Sequence, residues 1–196
     1  MKRRYVFVVI AIFMVIVGTV MNVKWSHMKA DLAGKVFRFH VLANSDREED
    51  QALKMQVKEE IITYMKQEIP TSDSAETTKA WVKDNLQNIT DRAQQLVKKK
   101  GYDYTVTAKV TTCDFPEKSY GDITFPAGEY EALRIEIGES KGKNWWCVLY
   151  PNLCFIDAVN AVVPEEGKEE LRQVLEEDTY KMVTATTPFR IKWFFF

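Results

Sequence analysis

The chain has few of the side chains that most chemistry requires. Of its 196 residues, two are histidines and three are cysteines. His27 precedes the region that reads as folded, which leaves His40 as that region's one imidazole. One usable histidine and three scattered cysteines do not supply the closely placed ligands of a metal site, so no metal and no cofactor are expected. Glycine-rich phosphate loops and dinucleotide turns are missing. With 27 Lys and Arg against 28 Asp and Glu, the net charge is −1. No basic excess therefore points to nucleic acid, and no acidic tail points to a solvating segment. The chain also lacks internal repeats and low-complexity tracts. Cysteines 113, 147 and 154 are an odd set, which excludes a fully paired disulfide framework. Cys147 and Cys154 can pair if the chain turns at Pro151 and Asn152. Three buried thiols, packing as small apolar groups, are the simpler reading.

What the chain does have is an N-terminal address. Lys2, Arg3 and Arg4 are followed by an apolar stretch over residues 5–21. A positive head before an apolar run is the pattern of an export signal, and the cations stay on the cytoplasmic side. The stretch is 17 residues long, at the short end of what spans a bilayer. Neither Met28-Lys29-Ala30 nor Asp31-Leu32-Ala33 makes a clean small-x-small cleavage site, so a cleaved signal and a retained anchor both stay open. Residues 22–35 read as a linker or as a helical extension of the apolar segment. An exterior domain is expected over residues 36–196. Apolar residues, 46% of the chain, suffice for its core.

The domain's periodicities give an α+β reading. VFRFHVLA (36–43) alternates as a strand, with Phe37, Phe39 and Val41 on one face and Arg38 and His40 on the other. Ser45 and Glu48 form a capping-box pattern before a helix over 47–68, whose apolar face carries Leu53, Val57 and Ile61; Pro70 ends it. A second helix starts at Asp73 or Ser74. It carries the stripe Val82, Leu86, Ile89, Ala93 and Leu96 and ends at Lys98, Lys99, Lys100 and Gly101. Residues 102–112 alternate as a strand with one wet face. Strands over 129–138 and 144–150 are expected to pair as a hairpin, the second central and covered on both faces. A last helix over 167–182 turns Leu171, Val174 and Leu175 inward. The ending FRIKWFFF (189–196) reads as a terminal strand or an apolar tail that must dock. The expected fold is a mostly antiparallel sheet of four or five strands, packed on one face against two long helices plus a C-terminal helix, with the N-terminal apolar helix in front.

Aromatic and turn residues concentrate in two loops that flank this hairpin. Tyr120, Gly121, Asp122, Phe125, Pro126, Gly128 and Glu129 lie in the first. Asn144, Trp145, Trp146, Pro151 and Phe155 lie in or after the second strand. Aromatics are common binding anchors, so these residues are the candidate partner-contact set; equally, the rings can be core and the Gly and Pro residues can shape turns. The carboxylates Asp46, Glu48, Glu49 and Asp50 are explained by helix capping.

Three stretches, RFHVLANSDREEDQALK (38–54), YGDITFPAGEYEALRIEI (120–137) and GKNWWCVLYPNLCFID (142–157), resemble the stage II sporulation protein R family in content, order and spacing. Asn152 stands where that family's Pro-Pro-Leu-Cys-Phe pattern has a second proline, and asparagine also tolerates turns. The resemblance implies a non-enzymatic signal. Such proteins are made in the forespore and exported to the space between forespore and mother-cell membranes. There they activate a membrane-embedded aspartic protease of the mother cell, which processes the sigma-E precursor. It implies that receptor as partner, contact with the membrane through residues 5–21, and no nucleic acid or small-molecule substrate. The rival is an exported hydrolase that uses Cys147 or Cys154 with His40 as base, acting on cell-wall material.

Overall fold

Apolar side chains at every second position make Phe37–Leu42 a strand, β1, and all six of its residues are buried. The computed structural model describes residues 2–69, 74–155, 163 and 165–185. Around β1 the order of elements is α1 (Lys2–Lys35), β1, α2 (Glu48–Glu68), α3 (Ala75–Asp84), α4 (Leu86–Lys99), β2 (Val106–Phe115), β3 (Lys118–Tyr120), β4 (Ile123–Phe125), β5 (Gly128–Ile137), β6 (Asn144–Tyr150), a 3-10 turn (Leu153–Phe155), α5 (Glu165–Val174) and α6 (Glu177–Thr184). The expected α+β architecture holds: a four-stranded mixed sheet in the order β2-β5-β1-β6, and a small β3-β4 hairpin. β2–β5 and β1–β6 are antiparallel, and β1–β5 is parallel.

Several expectations are corrected. β5 and β6 do not form a hairpin: β1 lies between them, pairing Val41 with Ile135 on one side and Trp145 on the other. A turn at 138–142 suggested direct return, but β1 is inserted between the two strands, parallel to β5 and antiparallel to β6. β6 is consequently an edge strand, not a central one. Its last four residues are nonetheless buried, because helices and turns cover both of its faces.

The sheet is also covered twice. On one face Phe37, Phe39, Val41, Leu133, Ile135 and Ile137 meet Leu53, Val57 and Ile61 of α2, Val82 of α3 and Ile89, Ala93 and Val97 of α4. On the other, Ala132, Val148, Phe115 and Tyr130 meet Leu32 of α1, Ile123 and Phe125 of the hairpin, Leu171 and Leu175 of the α5 end, and Val183 of α6. The domain therefore has three layers where two were expected. Fully burying such aliphatic or aromatic side chains contributes about 1.5–3 kcal/mol each before entropy is subtracted.

Helix boundaries shift for local reasons. Ser74 caps α3, its hydroxyl accepting from Thr77 N at 3.1 Å. The expected second helix breaks at Asn85, whose amide side chain donates to Trp81 O at 2.9 Å and so competes with the helical ladder. α4 ends as expected, with Gly101 left-handed at φ 84°. β2 starts at Val106 and runs to Phe115, four residues later than its alternation suggested, because Gln94 takes up the first backbone groups: its amide donates to Tyr104 O at 2.9 Å and accepts from Val106 N at 2.8 Å. The last helix is two, α5 and α6, separated at Leu175 and Glu176. Pro70 and the ending 189–196 lie outside the described residues. α1 continues as one helix through residues 22–35, so the helical alternative for that segment is the one observed.

Candidate functional site

The second sheet face holds the feature that periodicity alone could not show. Arg38, which the alternation sets with His40 on the face opposite Phe37, Phe39 and Val41, is completely buried. Its guanidinium carbon lies 4.3 Å from the Phe115 ring centroid, 4.9 Å from Tyr130, 5.1 Å from Phe125 and 5.9 Å from Tyr120. Nε donates to Cys147 O at 3.1 Å and Nη2 donates to Tyr120 Oη at 3.2 Å. Nη1 has no hydrogen-bond partner among the described residues, and no carboxylate there pairs with the charge. Burial pulls the guanidinium below its ordinary pKa, with the Tyr120 and Tyr130 phenols working the other way. Burial pushes the Tyr130 hydroxyl up to about 12. Burying a cation costs several kcal/mol; desolvated cation–π contacts, about 2 kcal/mol each, offset part of that.

The cage draws in the first candidate loop. Tyr120 and Phe125 pack edge to face at 5.8 Å, and Tyr130 Oη donates to Pro126 O at 2.8 Å. Gly121, left-handed at φ 59°, and Asp122 turn the β3-β4 hairpin. Asp122 is anchored rather than free: Lys168 Nζ sits 2.8 Å from Oδ2, and Val163 N donates to Oδ1 at 3.0 Å. The Lys168 hydrogen bond holds its carboxyl below the usual range. Gly128 and Glu129 border a shallow recess of about 190 Å³ between Lys29, Ala30 and Ala33 of α1 and the turn at Ala127.

The two neighbouring tryptophans separate. Trp145 faces the α2 side, edge to face with Phe39 at 5.5 Å and beneath Lys58 Nζ at 5.3 Å. Trp146 faces the cage side and stacks on His40 at 4.8 Å with 10° between planes; Phe115 packs against both rings. Asn144 lies on the Trp146 side, its Oδ1 buried and without a partner among the described residues. Pro151 follows a cis peptide bond, and Phe155 ends the 3-10 turn. Tyr120, Phe125 and Pro126 are thus brought together, whereas Trp145 stands apart. Arg38, Phe115 and Tyr130 belong to the same cluster and were missed. An arginine at an alternate strand position carries a signal only once both sheet faces are known to be covered.

The cysteines are corrected as well. Cys147 and Cys154 form a disulfide, and Cys113 is the unpaired thiol. A rival mechanism through Cys147 or Cys154 therefore has no thiol to use. His40 instead approaches Cys113, with Nε2 and Sγ 3.4 Å apart. Burial and the Arg134 charge push His40 down to about 4, and burial raises the Cys113 thiol. Both groups are then neutral near pH 7, the reverse of an activated thiolate–imidazolium pair. Among the described residues no group of three or more His, Cys, Asp or Glu is placed to hold a metal.

The Asn44–Asp50 segment does structural work at the opposite end of β1. The expected capping box does not form. Arg47 is the α2 N-cap, without a side-chain cap bond. Ser45 Oγ donates instead to Asp50 Oδ2 at 2.5 Å, and Asn44 Nδ2 donates to the same oxygen at 2.9 Å. Burial alone would raise the Asp50 carboxyl; these two bonds and Arg47 outweigh it and hold the group low. Asn44 Oδ1 accepts from Glu139 N at 2.9 Å, Asp46 Oδ1 from Lys143 N at 2.7 Å, and Lys143 O from Lys54 Nζ at 3.0 Å. The β5–β6 turn is thereby tied to the start of α2. A Cβ at Gly142 would collide with Ser45 O, and one at Gly138 with the Asn44 amide.

Comparison with known proteins fits this arrangement. The sequence profile of the family described as Stage II sporulation protein R (spore_II_R) matches residues 33–160. That span runs from the last turn of α1 past the 3-10 turn and includes the cage, the disulfide and the Asn44–Asp50 knot. A relative named Stage II sporulation protein R, from Bacillus subtilis (strain 168), is 31% identical over 196 aligned residues, covering 93% of this chain and 88% of its own length. The chain belongs to the stage II sporulation protein R family, and its role lies in sporulation. No solved structure matches it.

Proposed function

We propose that the chain is an exported intercellular sporulation signal that activates a membrane-embedded aspartic protease of the mother cell, leading to processing of the sigma-E precursor. The observation that carries this reading is the N-terminus: a cationic head, then a helix long and apolar enough to cross a membrane, continuous with a folded domain. The positive-inside rule supports a domain outside the cytoplasm, and the proposed site of action is the space between forespore and mother-cell membranes. A disulfide suits such a compartment. The groups that could serve catalysis are quiet: two sulfurs are bonded to each other, and the one buried imidazole stays neutral. What remains is recognition by shape. The best-placed recognition element is the arm from Tyr120 to Glu129, in which Gly121 and Glu129 are exposed and the rings beneath are locked by Arg38.

The test is co-expression of this chain with the protease and the sigma precursor in a non-sporulating host. Processing is expected when the chain carries its apolar helix and is exported, and not when residues 2–21 are deleted. Processing by the cytoplasmic form, or none with the exported folded form, would overturn the proposal. Ser replacements at Cys113, Cys147 and Cys154 and an Ala replacement at His40 should each leave signalling in place wherever the protein folds.

A further inference from the structure

The distal part of α1 is built into the domain. Leu32 is fully buried and Val36 is 2% exposed, both within the second core. Lys24 Nζ pairs with Asp178 Oδ2 at 2.7 Å, and His27 Nδ1 lies 3.7 Å from Glu176 Oε2. Asp31, whose side chain is 7% exposed, pairs with Lys35 at 2.9 Å, and its Oδ2 accepts from Glu176 N at 3.3 Å. That carboxylate sits at the N-terminal end of α6, where the helix dipole favours an anion. Burial would raise it, but Lys35 and the Glu176 N–H outweigh burial and keep it ionised. From Lys24 to Lys35 the helix is therefore held by α6 and the second core, while the apolar side chains of residues 5–21 stand exposed around it.

We propose that α1 is retained in the working protein as a membrane anchor, and that its docking fixes the domain against the same bilayer with the α6 side toward the lipid headgroups. Ala30 and Ala33, the small residues that end the two imperfect cleavage patterns, both lie inside helix α1, and Ala33 packs on the second core. Cleavage needs an exposed, extended segment, and a cut at either position would strip Lys24 and His27, and at Ala33 also Asp31 and Leu32, from their partners. The first domain contact, at Lys24, comes three residues after Met21, about 4.5 Å further along the helix axis. That distance leaves no flexible spacer between bilayer and domain. Trp25, 45% exposed, falls at the level where an indole suits the membrane–water interface. This inference rests on packing and does not depend on which receptor the domain meets.

The full chain, expressed with an intact export machinery, supplies the test. The expected product keeps its full mass, stays in the membrane fraction through alkaline carbonate, and shows slow hydrogen exchange over residues 24–35, matching the domain rather than a linker. A soluble product with a shortened N-terminus would overturn retention. The docking is tested separately in the full chain with Asp31→Ala plus Leu32→Ala, expected to lower Tm by roughly 5–15 °C. An unchanged Tm, or fast exchange over residues 24–35 in the unaltered chain, would overturn the docking. None of these readouts is signalling, so failure here is distinct from failure of the signal reading.

Discussion

Opening the Cys147–Cys154 bridge is the sharpest test of how β6 and the turn after it are held. The bridge spans a sequence separation of 7 and closes the chain from the middle of β6 onto the 3-10 turn. The backbone carbonyl of Cys147 accepts from the Arg38 guanidinium, so the bridged residue also helps to hold the buried charge. Loop-closure entropy for a ring this short comes to about 2 kcal/mol. For a domain of this size each kcal/mol shifts Tm by about 2–4 °C, which gives a drop of about 4–8 °C. The assay is thermal unfolding of the detergent-solubilised chain with and without reductant, beside Cys147→Ala plus Cys154→Ala. The double variant should start at the lower Tm and lose its response to reductant. A thiol count under non-reducing denaturing conditions should find one thiol, Cys113. Three thiols, or a Tm that ignores reductant, would refute the reasoning and restore the unbridged reading.

Other consequences are equally direct. His40 titrates at about 4 in the fold against 6.5 in the open chain. The unfolded state therefore binds the extra proton first: the stabilisation is complete above pH 6.5 and is lost as pH falls toward 4, amounting to about 3 kcal/mol. Urea titrations at pH 7 and pH 4.5 should show that slope, and His40→Gln should flatten it. Arg38→Lys keeps the charge but cannot reproduce the planar fork that bonds Cys147 O and Tyr120 Oη together, so it should cost about 1–3 kcal/mol by chemical denaturation. Gly138→Ala places a side chain at φ 57° and into the Asn44 amide; a loss of about 1–3 kcal/mol is expected. A neutral effect at either position would mean that the contact described there does not form.

The N-terminal helix, the start of α3 at one of the pair Asp73 and Ser74, the glycine end of α4 and the strands over β5 and β6 were legible, because each rests on local chemistry with a strong periodic or terminal signal. Strand order was not. The inference of a hairpin between β5 and β6 used the shortness of the turn at 138–142, whereas the real constraint is long-range. Asn44 and Asp46 bond the backbone of that turn, and this draws it toward the start of α2 while β1 slides between its two strands. A capping box was read from Ser45 and Glu48, yet Asp50 took the serine hydroxyl. A buried carboxylate that also receives Asn44 is the more demanding acceptor. Asn85 and Glu176, where two expected helices break, carry no glycine or proline to announce the break.

The site was half legible for a related reason. Aromatic density between Tyr120 and Trp146 identified a real cluster, but the residue that organises it, Arg38, looked ordinary. Alternation of Phe37, Phe39 and Val41 with Arg38 and His40 is what a half-wet strand looks like. The same alternation is what a doubly covered strand looks like when its second face is lined by rings able to take a cation. The polar residues of β1 are therefore better read as marks of where the second layer must be aromatic. Phe115, Tyr120, Phe125 and Tyr130 meet that requirement from two sheet strands, β2 and β5, and from the β3-β4 hairpin, and it is their convergence on one guanidinium that fixes the Tyr120–Glu129 arm.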